Sequence, residues 1–146
     1  MVYTRVLVGT DGSSTADKAV ETAANLARQL GADLHIVTAY RPSGGGMGGA
    51  SGAAMADAGS GAGLQSEAAK QIAEKAASTW GEGLTTEAHA TSGGAADAIL
   101  STAQSMGADL IVVGSKGMQG ARRVLGSVPN SVAHGAECSV LIVKTD

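Results

Sequence analysis

A glycine-rich segment is the part of the sequence best suited to bind an anion. It occupies residues 114–127 and directly follows the apolar run at residues 110–113. Pro129 lies within the first turn of the helix predicted to follow, and a proline in that position is typical of a helix start. A loop that ends at a helix start presents free backbone N–H groups and the positive end of the helix dipole. Both favour an anion, most simply a phosphate.

A second loop of this kind follows the first apolar run of the chain. The run at residues 6–8 leads into Gly-Thr-Asp-Gly-Ser at residues 9–13, which is the pattern of a buried parallel strand that opens into a turn. Asp11 also has a purely local alternative role, because Asp-Gly is a turn dipeptide in its own right. Ser127 likewise has the alternative role of a helix N-cap, which is worth about 1 kcal/mol without any ligand.

Alternating strand and helix patterns place both loops in one fold. After each of the first three strands, apolar residues recur at the three- and four-residue spacing of a helix with one buried face. Ser14, with Asp17 three residues later, predicts the start of the first helix. The predicted strands are residues 6–8, 34–39, 85–90, 110–113 and 140–143, and the predicted helices begin near residues 14, 64, 95 and 128.

This order predicts an α/β fold with a single doubly wound five-stranded parallel sheet and helices on both faces. At 146 residues the chain has room for one domain, which we expect to cover residues 1–146. Ligands of such sheets bind outside the carboxyl ends of the strands, where the strand order reverses. The two loops therefore meet if the first strand lies beside the fourth.

Residues 43–63 differ in composition from the rest of the chain, with nine glycines among 21 residues. Such a segment buries too little side chain to offset an ordering cost of roughly 1–2 kcal/mol per residue, so it is predicted to be a flexible loop. Two interpretations of it remain open, an inert insertion and a lid beside a ligand site.

Composition limits the classes of partner. Ten Lys and Arg residues stand against 13 Asp and Glu, and aromatic residues make up 2% of the chain, so we expect no nucleic-acid partner. No apolar run approaches the ~20 residues of a membrane span, which predicts no membrane insertion. With one cysteine and no signal-peptide pattern at the amino terminus, we expect a cytoplasmic protein.

The residues of the two loops resemble those of a known family. Val-Gly-Thr-Asp-Gly-Ser at residues 8–13, Ala-Asp-Leu-Ile-Val-Val-Gly-Ser-Lys-Gly at 108–117 and Gly-Ser-Val at 126–128 are similar to the universal stress protein domain. The likeness runs from residue 2 to residue 144, apart from residues 43–63. The nucleotide-binding branch of that family carries Gly, two residues, Gly, nine residues, Gly, then Ser or Thr. Here the second interval is eight residues long.

The resemblance implies a Rossmann-like fold of the adenine nucleotide alpha hydrolase type, with an adenine nucleotide at the carboxyl ends of the first and fourth strands. ATP is expected first, with AMP or cyclic AMP as alternatives. The nucleotide-binding residues that the resemblance implies are Gly9, Thr10, Asp11, Ala39, Val113, Gly114, Lys116, Gly117, Gly126, Ser127 and Val128.

Each implied role has a chemical reason. Gly114 and Gly117 would let the backbone approach the ribose and phosphates, since a Cβ would obstruct them. Gly126 and Ser127 would bind phosphate oxygens at the helix start. Asp11 would contact the nucleoside and help to hold Mg²⁺ bound with the nucleotide. The backbone at the end of the second strand, residue 39, would contact the adenine edge.

Catalysis has less support than binding. The histidines, His35, His89 and His134, have no sequence spacing to the two loops that indicates a catalytic group or a zinc site. Cys138 is predicted to be a small buried residue. We therefore assign no catalytic residue and expect at most slow ATP hydrolysis.

Three functions remain in order of preference. The first is a stress-response protein that binds an adenine nucleotide. The second is a dimeric interaction protein of the same fold that binds no nucleotide, and the third is a very weak ATPase. An apolar last strand at a sheet edge invites pairing with a second chain, and the resemblance implies a symmetric homodimer through residues 140–143. The sequence does not identify a protein partner.

Overall fold

The structure, a computed structural model, describes residues 3–42, 52–115 and 127–145. Strands and helices alternate along the chain, and the predicted α/β fold class is confirmed. In chain order the elements are β1 (Arg5–Gly9), α1 (Ser14–Leu30), β2 (Asp33–Tyr40), α2 (Gly52–Trp80), β3 (Thr86–Ser92), α3 (Ala95–Met106), β4 (Leu110–Gly114), α4 (Ser127–Gly135) and β5 (Ser139–Val143).

The five strands form one parallel sheet in the order β3-β2-β1-β4-β5. The strand β1 lies beside β4, which is the condition under which the two loops meet, and Val8 is in register with Val112 on one side and Ile36 on the other. The chain runs outward from β1 in one direction to β3, then returns to the other side of β1 to form β4 and β5. The reversal creates the cleft at the carboxyl ends of β1 and β4 where such folds bind ligands.

Apolar residues on both faces of the central strands hold the helices. Side chains of a strand alternate between the two faces, so β1 sends Val6 and Val8 to one face and Leu7 to the other. On the first face these residues pack with α1 and α2, for example against Val20 and Ala73. The second face packs against α3 and α4. Both faces are buried because a parallel sheet with crossover helices is covered on both sides.

The helix α2 begins at Gly52, so the prediction of a loop through residue 63 is wrong for residues 52–63. The prediction gave too much weight to the number of glycines. Alanine, the strongest helix former, is interspersed among them. Adding residues to an existing helix costs much less than starting one, and the later turns of α2 are anchored by Ala69, Ala73 and Ala76 in the core. The rest of the predicted loop, residues 43–51, lies outside the described residues.

The start of α1 also differs by one residue from the prediction. Its N-cap is Ser13, whose Oγ accepts a hydrogen bond from the backbone N–H of Ala16 at 3.1 Å, and Ser14 is the first helical residue. At its other end α1 stops at Gly31, whose φ of 68° is the left-handed conformation in which glycine commonly ends a helix. Among the helices that the structure describes, none combines the length and apolar character needed to span a bilayer.

Candidate functional site

A crevice opens at the carboxyl ends of β1 and β4, beneath the amino ends of the surrounding helices. Seven of the residues predicted to bind a ligand line it: Gly9, Thr10, Asp11, Ala39, Val113, Gly114 and Val128. These residues come from three strands, from the loop after β1 and from the start of α4, and they meet at the place where the strand order reverses. Among the described residues that line the crevice, Asp11 is the one ionisable side chain.

The loop between β1 and α1 is fixed by its own hydrogen bonds. The backbone N–H of Thr10 donates to the carbonyl oxygen of Val37 at 3.0 Å, which ties the loop to β2. The Thr10 hydroxyl accepts from the N–H of Gly12 at 3.0 Å, and Asp11 Oδ1 accepts from the N–H of Ser13 at 2.9 Å. The local turn role of Asp11 is thus present, and the same exposed side chain lines the crevice.

Three helices direct their amino ends at the crevice. Thr15 and Ala16 belong to the first turn of α1, Ala95 opens α3 and Val128 lies in the first turn of α4, and all four residues line the crevice. The first N–H groups of a helix have no partner within the helix, and the dipole places positive charge there. Ser13 satisfies one such N–H group in α1. Together the three helix starts direct backbone N–H groups and the positive ends of their dipoles toward the crevice.

The end of β4 is joined to the carboxyl-terminal residues of the chain. The N–H of Ser115 donates to the carbonyl oxygen of Val143 at 2.7 Å, and the N–H of Thr145 donates to Ser115 Oγ at 3.3 Å. Thr145 is 3% exposed and lines the crevice, and among the described residues its Oγ1 has no hydrogen-bond partner. A buried hydroxyl without a partner costs about 1–3 kcal/mol, so it suits a ligand that supplies the missing bond.

Two glycines of the crevice lie close against neighbouring side chains. A Cβ built on Gly9 would lie 2.8 Å from Cδ1 of Ile99, which is 5% exposed and forms part of the crevice floor. A Cβ on Gly114 would lie 3.0 Å from Cγ2 of Thr145. Both positions are tighter than ordinary carbon contacts, so a larger residue would displace the crevice wall before any ligand enters.

The predicted phosphate-binding end is only partly described. Lys116, Gly117 and Gly126 lie outside the described residues. Ser127 is the first residue of α4 and is exposed, and the crevice lining includes its neighbour Val128 but not Ser127 itself. The described part of the site is therefore the β1–α1 side, the ends of β2 and β4, and the helix starts.

Sequence reasoning missed the rest of the lining, which consists of Ser13, Thr15, Ala16, Ala19, Val37, Ala95, Ile99 and Thr145. The cap position of Ser13 was a usable signal, since a helix start after β1 must face the carboxyl edge of the sheet. Ile99 and Thr145 carried no such signal. Their places depend on how α3 and the carboxyl-terminal residues pack against the sheet.

Comparisons with known proteins agree with this arrangement. The sequence model of the Universal stress protein family matches residues 2–144. Universal stress protein MT1672 of Mycobacterium tuberculosis (strain CDC 1551) is 36% identical over 158 aligned residues, which cover 98% of this chain and 97% of that protein.

Two solved structures with bound ligands are also similar. A universal stress protein in complex with cAMP has a TM-score of 0.70 and 34% identity, with 100% of both chains covered. The universal stress protein from Archaeoglobus fulgidus in complex with dAMP has a TM-score of 0.59 and 25% identity, with 99% of this chain and 100% of that one covered.

Proposed function

The chain belongs to the universal stress protein family, and from this premise we propose that it is a stress-response protein that binds an adenine nucleotide in the crevice. ATP is the expected ligand, with AMP and cyclic AMP as alternatives. The observation that carries the proposal is the convergence of three helix amino ends on a crevice whose wall holds the Thr145 hydroxyl, which has no hydrogen-bond partner among the described residues. The cAMP and dAMP complexes of similar proteins support an adenine nucleotide.

The proposed roles follow from position in the crevice. The phosphates would lie at the helix starts, where N–H groups and the dipoles favour negative charge. Asp11 would accept hydrogen bonds from the ribose hydroxyls, and an Mg²⁺ ion bound with the nucleotide would use the same carboxylate. The backbone of Ala39, at the end of β2, would contact the adenine edge. Lys116, Gly117, Gly126 and Ser127 remain our proposal for the phosphate end.

A second candidate is a protein of the same fold that binds no nucleotide and acts by interaction alone. The specific observation in its favour is that close contacts with Ile99 and Thr145 account for glycine at positions 9 and 114 without a ligand. The eight-residue interval between Gly117 and Gly126 points the same way. The two candidates differ in one measurable property, which is whether a nucleotide stabilises the folded protein.

The test uses the purified full chain. We expect mass spectrometry of the denatured protein to detect a co-purified adenine nucleotide. We also expect ATP at about 100 times its dissociation constant to stabilise the protein by about 2.7 kcal/mol, which raises the melting temperature by several degrees. GTP at the same concentration is the control for general phosphate binding. Absence of a co-purified nucleotide and of a shift with ATP, ADP, AMP and cyclic AMP, with and without Mg²⁺, would favour the interaction protein.

We further propose that the chain forms a homodimer through β5. This strand is at one edge of the sheet, so the backbone groups of its outer side face away from β4. Leu141 in β5 is 37% exposed, and Leu64 in α2 is the other large apolar side chain that is exposed among the described residues. An exposed apolar edge strand pairs readily with a second copy.

Substitution of these two leucines tests the dimer. By sedimentation at micromolar concentration we expect the wild type and Leu64→Lys to be dimers and Leu141→Lys to be a monomer. A monomeric wild type, or a Leu141→Lys variant that stays dimeric, would contradict the β5 interface.

A further inference from the structure

A second group of polar side chains lies on the sheet between β2 and β3, beside Val37 of the crevice lining. We call His35, Glu87 and His89 the histidine cluster. In the register of these strands His35 pairs with Glu87 and Val37 pairs with His89, so the three side chains share the face on which Val37 packs against α3. His35 precedes Ala39 of the crevice by four residues, or about 13 Å along the strand.

The polar atoms of the cluster converge. Nδ1 of His35 lies 3.0 Å from Nε2 of His89 and 3.8 Å from Oε1 of Glu87. The two imidazole rings lie edge to edge, with centroids 5.2 Å apart and planes inclined by 19°. One ligand atom from each of the three residues lies within 4.8 Å of the other two. Two nitrogens and a carboxylate oxygen therefore face one small volume.

This donor set matches a metal ion of intermediate softness. In a tetrahedral zinc site with metal–ligand distances of about 2.0–2.2 Å, neighbouring ligand atoms lie about 3.3 Å apart. The two measured separations, 3.0 and 3.8 Å, fall on either side of that value. We propose that His35, Glu87 and His89 form a binding site for a divalent transition metal, with Zn²⁺ as the expected ion. Three protein ligands leave the fourth position to water.

Burial and charge around the cluster fit this role. His35 is 9% exposed, whereas the Glu87 side chain is 65% exposed, so an ion can enter from the Glu87 side. Burial lowers the pKa of His35 and outweighs the opposing carboxylates of Glu87 and Asp33. Burial also lowers the pKa of His89, assisted by His35 and Lys70. Both rings are therefore neutral near pH 7, the form in which imidazole binds a metal.

The place of the cluster in the sheet indicates what the metal would do. Because β3 is an edge strand, it is held within the sheet by β2 alone. His35 and His89 are separated by 54 residues in the chain, and a cross-link across a long segment restricts the unfolded chain more than a local one. A metal that binds the folded cluster would therefore link the edge strand β3 to β2 and stabilise the protein.

The test is a titration of chelator-treated full-length protein with ZnCl₂, without nucleotide, followed by calorimetry and by melting temperature. His89→Gln keeps a hydrogen-bonding group beside His35, and Glu87→Gln changes an exposed side chain. His134→Gln is the matched control, since His134 is the remaining histidine of the chain and is exposed on α4. We expect one Zn²⁺ per wild-type chain, binding at least tenfold weaker in His89→Gln and Glu87→Gln, and a change within about twofold in His134→Gln.

Three results would overturn the site. The first is no saturable Zn²⁺ binding to the wild type, which would leave the cluster as a hydrogen-bonded histidine pair. The second is equal affinity in the wild type and in His89→Gln. The third is binding that Asp11→Ala abolishes and His89→Gln preserves, which would place the ion in the crevice. Visible d–d absorption of bound Co²⁺, lost in His89→Gln, is the spectroscopic outcome that supports tetrahedral ligation by the cluster.

Discussion

At the amino ends of β1 and β4 the backbone binds a carboxylate of the chain itself, whereas at the carboxyl ends of the same strands the helix starts line an open crevice. The Asp109 carboxylate accepts hydrogen bonds from the N–H groups of Thr4 and Arg5, each at 2.9 Å, and from the Thr4 hydroxyl at 3.0 Å. Burial acts to raise the pKa of Asp109, but these donors outweigh it and lower the pKa below its usual value.

At the carboxyl ends of the strands, the helix starts also offer backbone N–H donors. Among the described residues, no carboxylate takes the place there that Asp109 has at the amino ends. The starts of α1, α3 and α4 line the crevice, and its one described carboxylate, Asp11, is engaged through Oδ1 in its own turn. The sheet thus satisfies its amino edge with a carboxylate of the chain itself, and its carboxyl edge is where we propose that the nucleotide binds. Changes at the two edges should therefore separate loss of binding from loss of stability.

The largest effect is expected from Asp11→Ala, which removes the one ionisable side chain of the described crevice. We expect ATP affinity to fall at least tenfold, which corresponds to about 1.4 kcal/mol. Asp17→Ala is the control, because Asp17 also lies in the first turn region of α1 but does not line the crevice. Calorimetric titration measures both variants, and equal affinity in Asp11→Ala and the wild type would remove Asp11 from the site.

At the opposite edge, Asp109→Asn should reduce stability and spare binding. The amide replaces one acceptor oxygen with an NH₂ group that faces the N–H donors of Thr4 and Arg5. Since hydrogen bonds to a charged group are worth about 1.5–3 kcal/mol and this site is partly exposed, we expect a loss of about 1–2 kcal/mol in the free energy of unfolding. Urea unfolding measures it, with Glu74→Gln on the exposed side of α2 as the control. A tenfold change in ATP affinity would contradict the separation of the two edges.

The pH dependence of stability sharpens the role of Asp109. Its pKa is lower in the folded protein than in the unfolded chain, so its stabilisation is present above the unfolded pKa of about 4 and is lost as the pH falls through the folded value. The difference between the wild type and Asp109→Asn should therefore shrink below about pH 4. A difference that stays constant between pH 7 and pH 3 would mean that ionisation of Asp109 is irrelevant.

The smallest effect on stability is expected at Ser13, which both caps α1 and lines the crevice. Loss of the N-cap in Ser13→Ala should cost about 1 kcal/mol of stability, while Ser13→Gly should cost only a few tenths. Thermal unfolding of the two variants measures the difference. If Ser13→Ala lost no stability, the hydrogen bond from the Ala16 N–H to Ser13 Oγ would contribute nothing to the folded protein.

Features that depend on local pattern were predictable from the sequence. The apolar runs of β1 and β4 and the alanine-rich stripe of α1 follow directly from periodicity, and parallel strands bring Asp11 and Gly114 to the same edge. Residues 52–63 were mispredicted because glycine content was weighed above alanine propensity and the anchoring of α2.

Features that depend on register and long-range packing were not predictable. His35 and His89 meet because β2 and β3 pair in one particular register, and no residue spacing in the sequence indicates that register. Thr145 reaches the crevice through its link to Ser115, and Gly9 is explained by Ile99, which comes from a helix 90 residues later in the chain.

The central claim is that an adenine nucleotide binds at the carboxyl edge of the sheet, and amide NMR of the ¹⁵N-labelled protein during titration with ATP tests it most directly. We predict saturable shifts of the amides of Thr10, Asp11 and Gly114, with the amides of Thr4 and Arg5 at the opposite edge unchanged. Shifts confined to the amino edge, or no saturable shift up to about 1 mM ATP, AMP or cyclic AMP, would contradict the account.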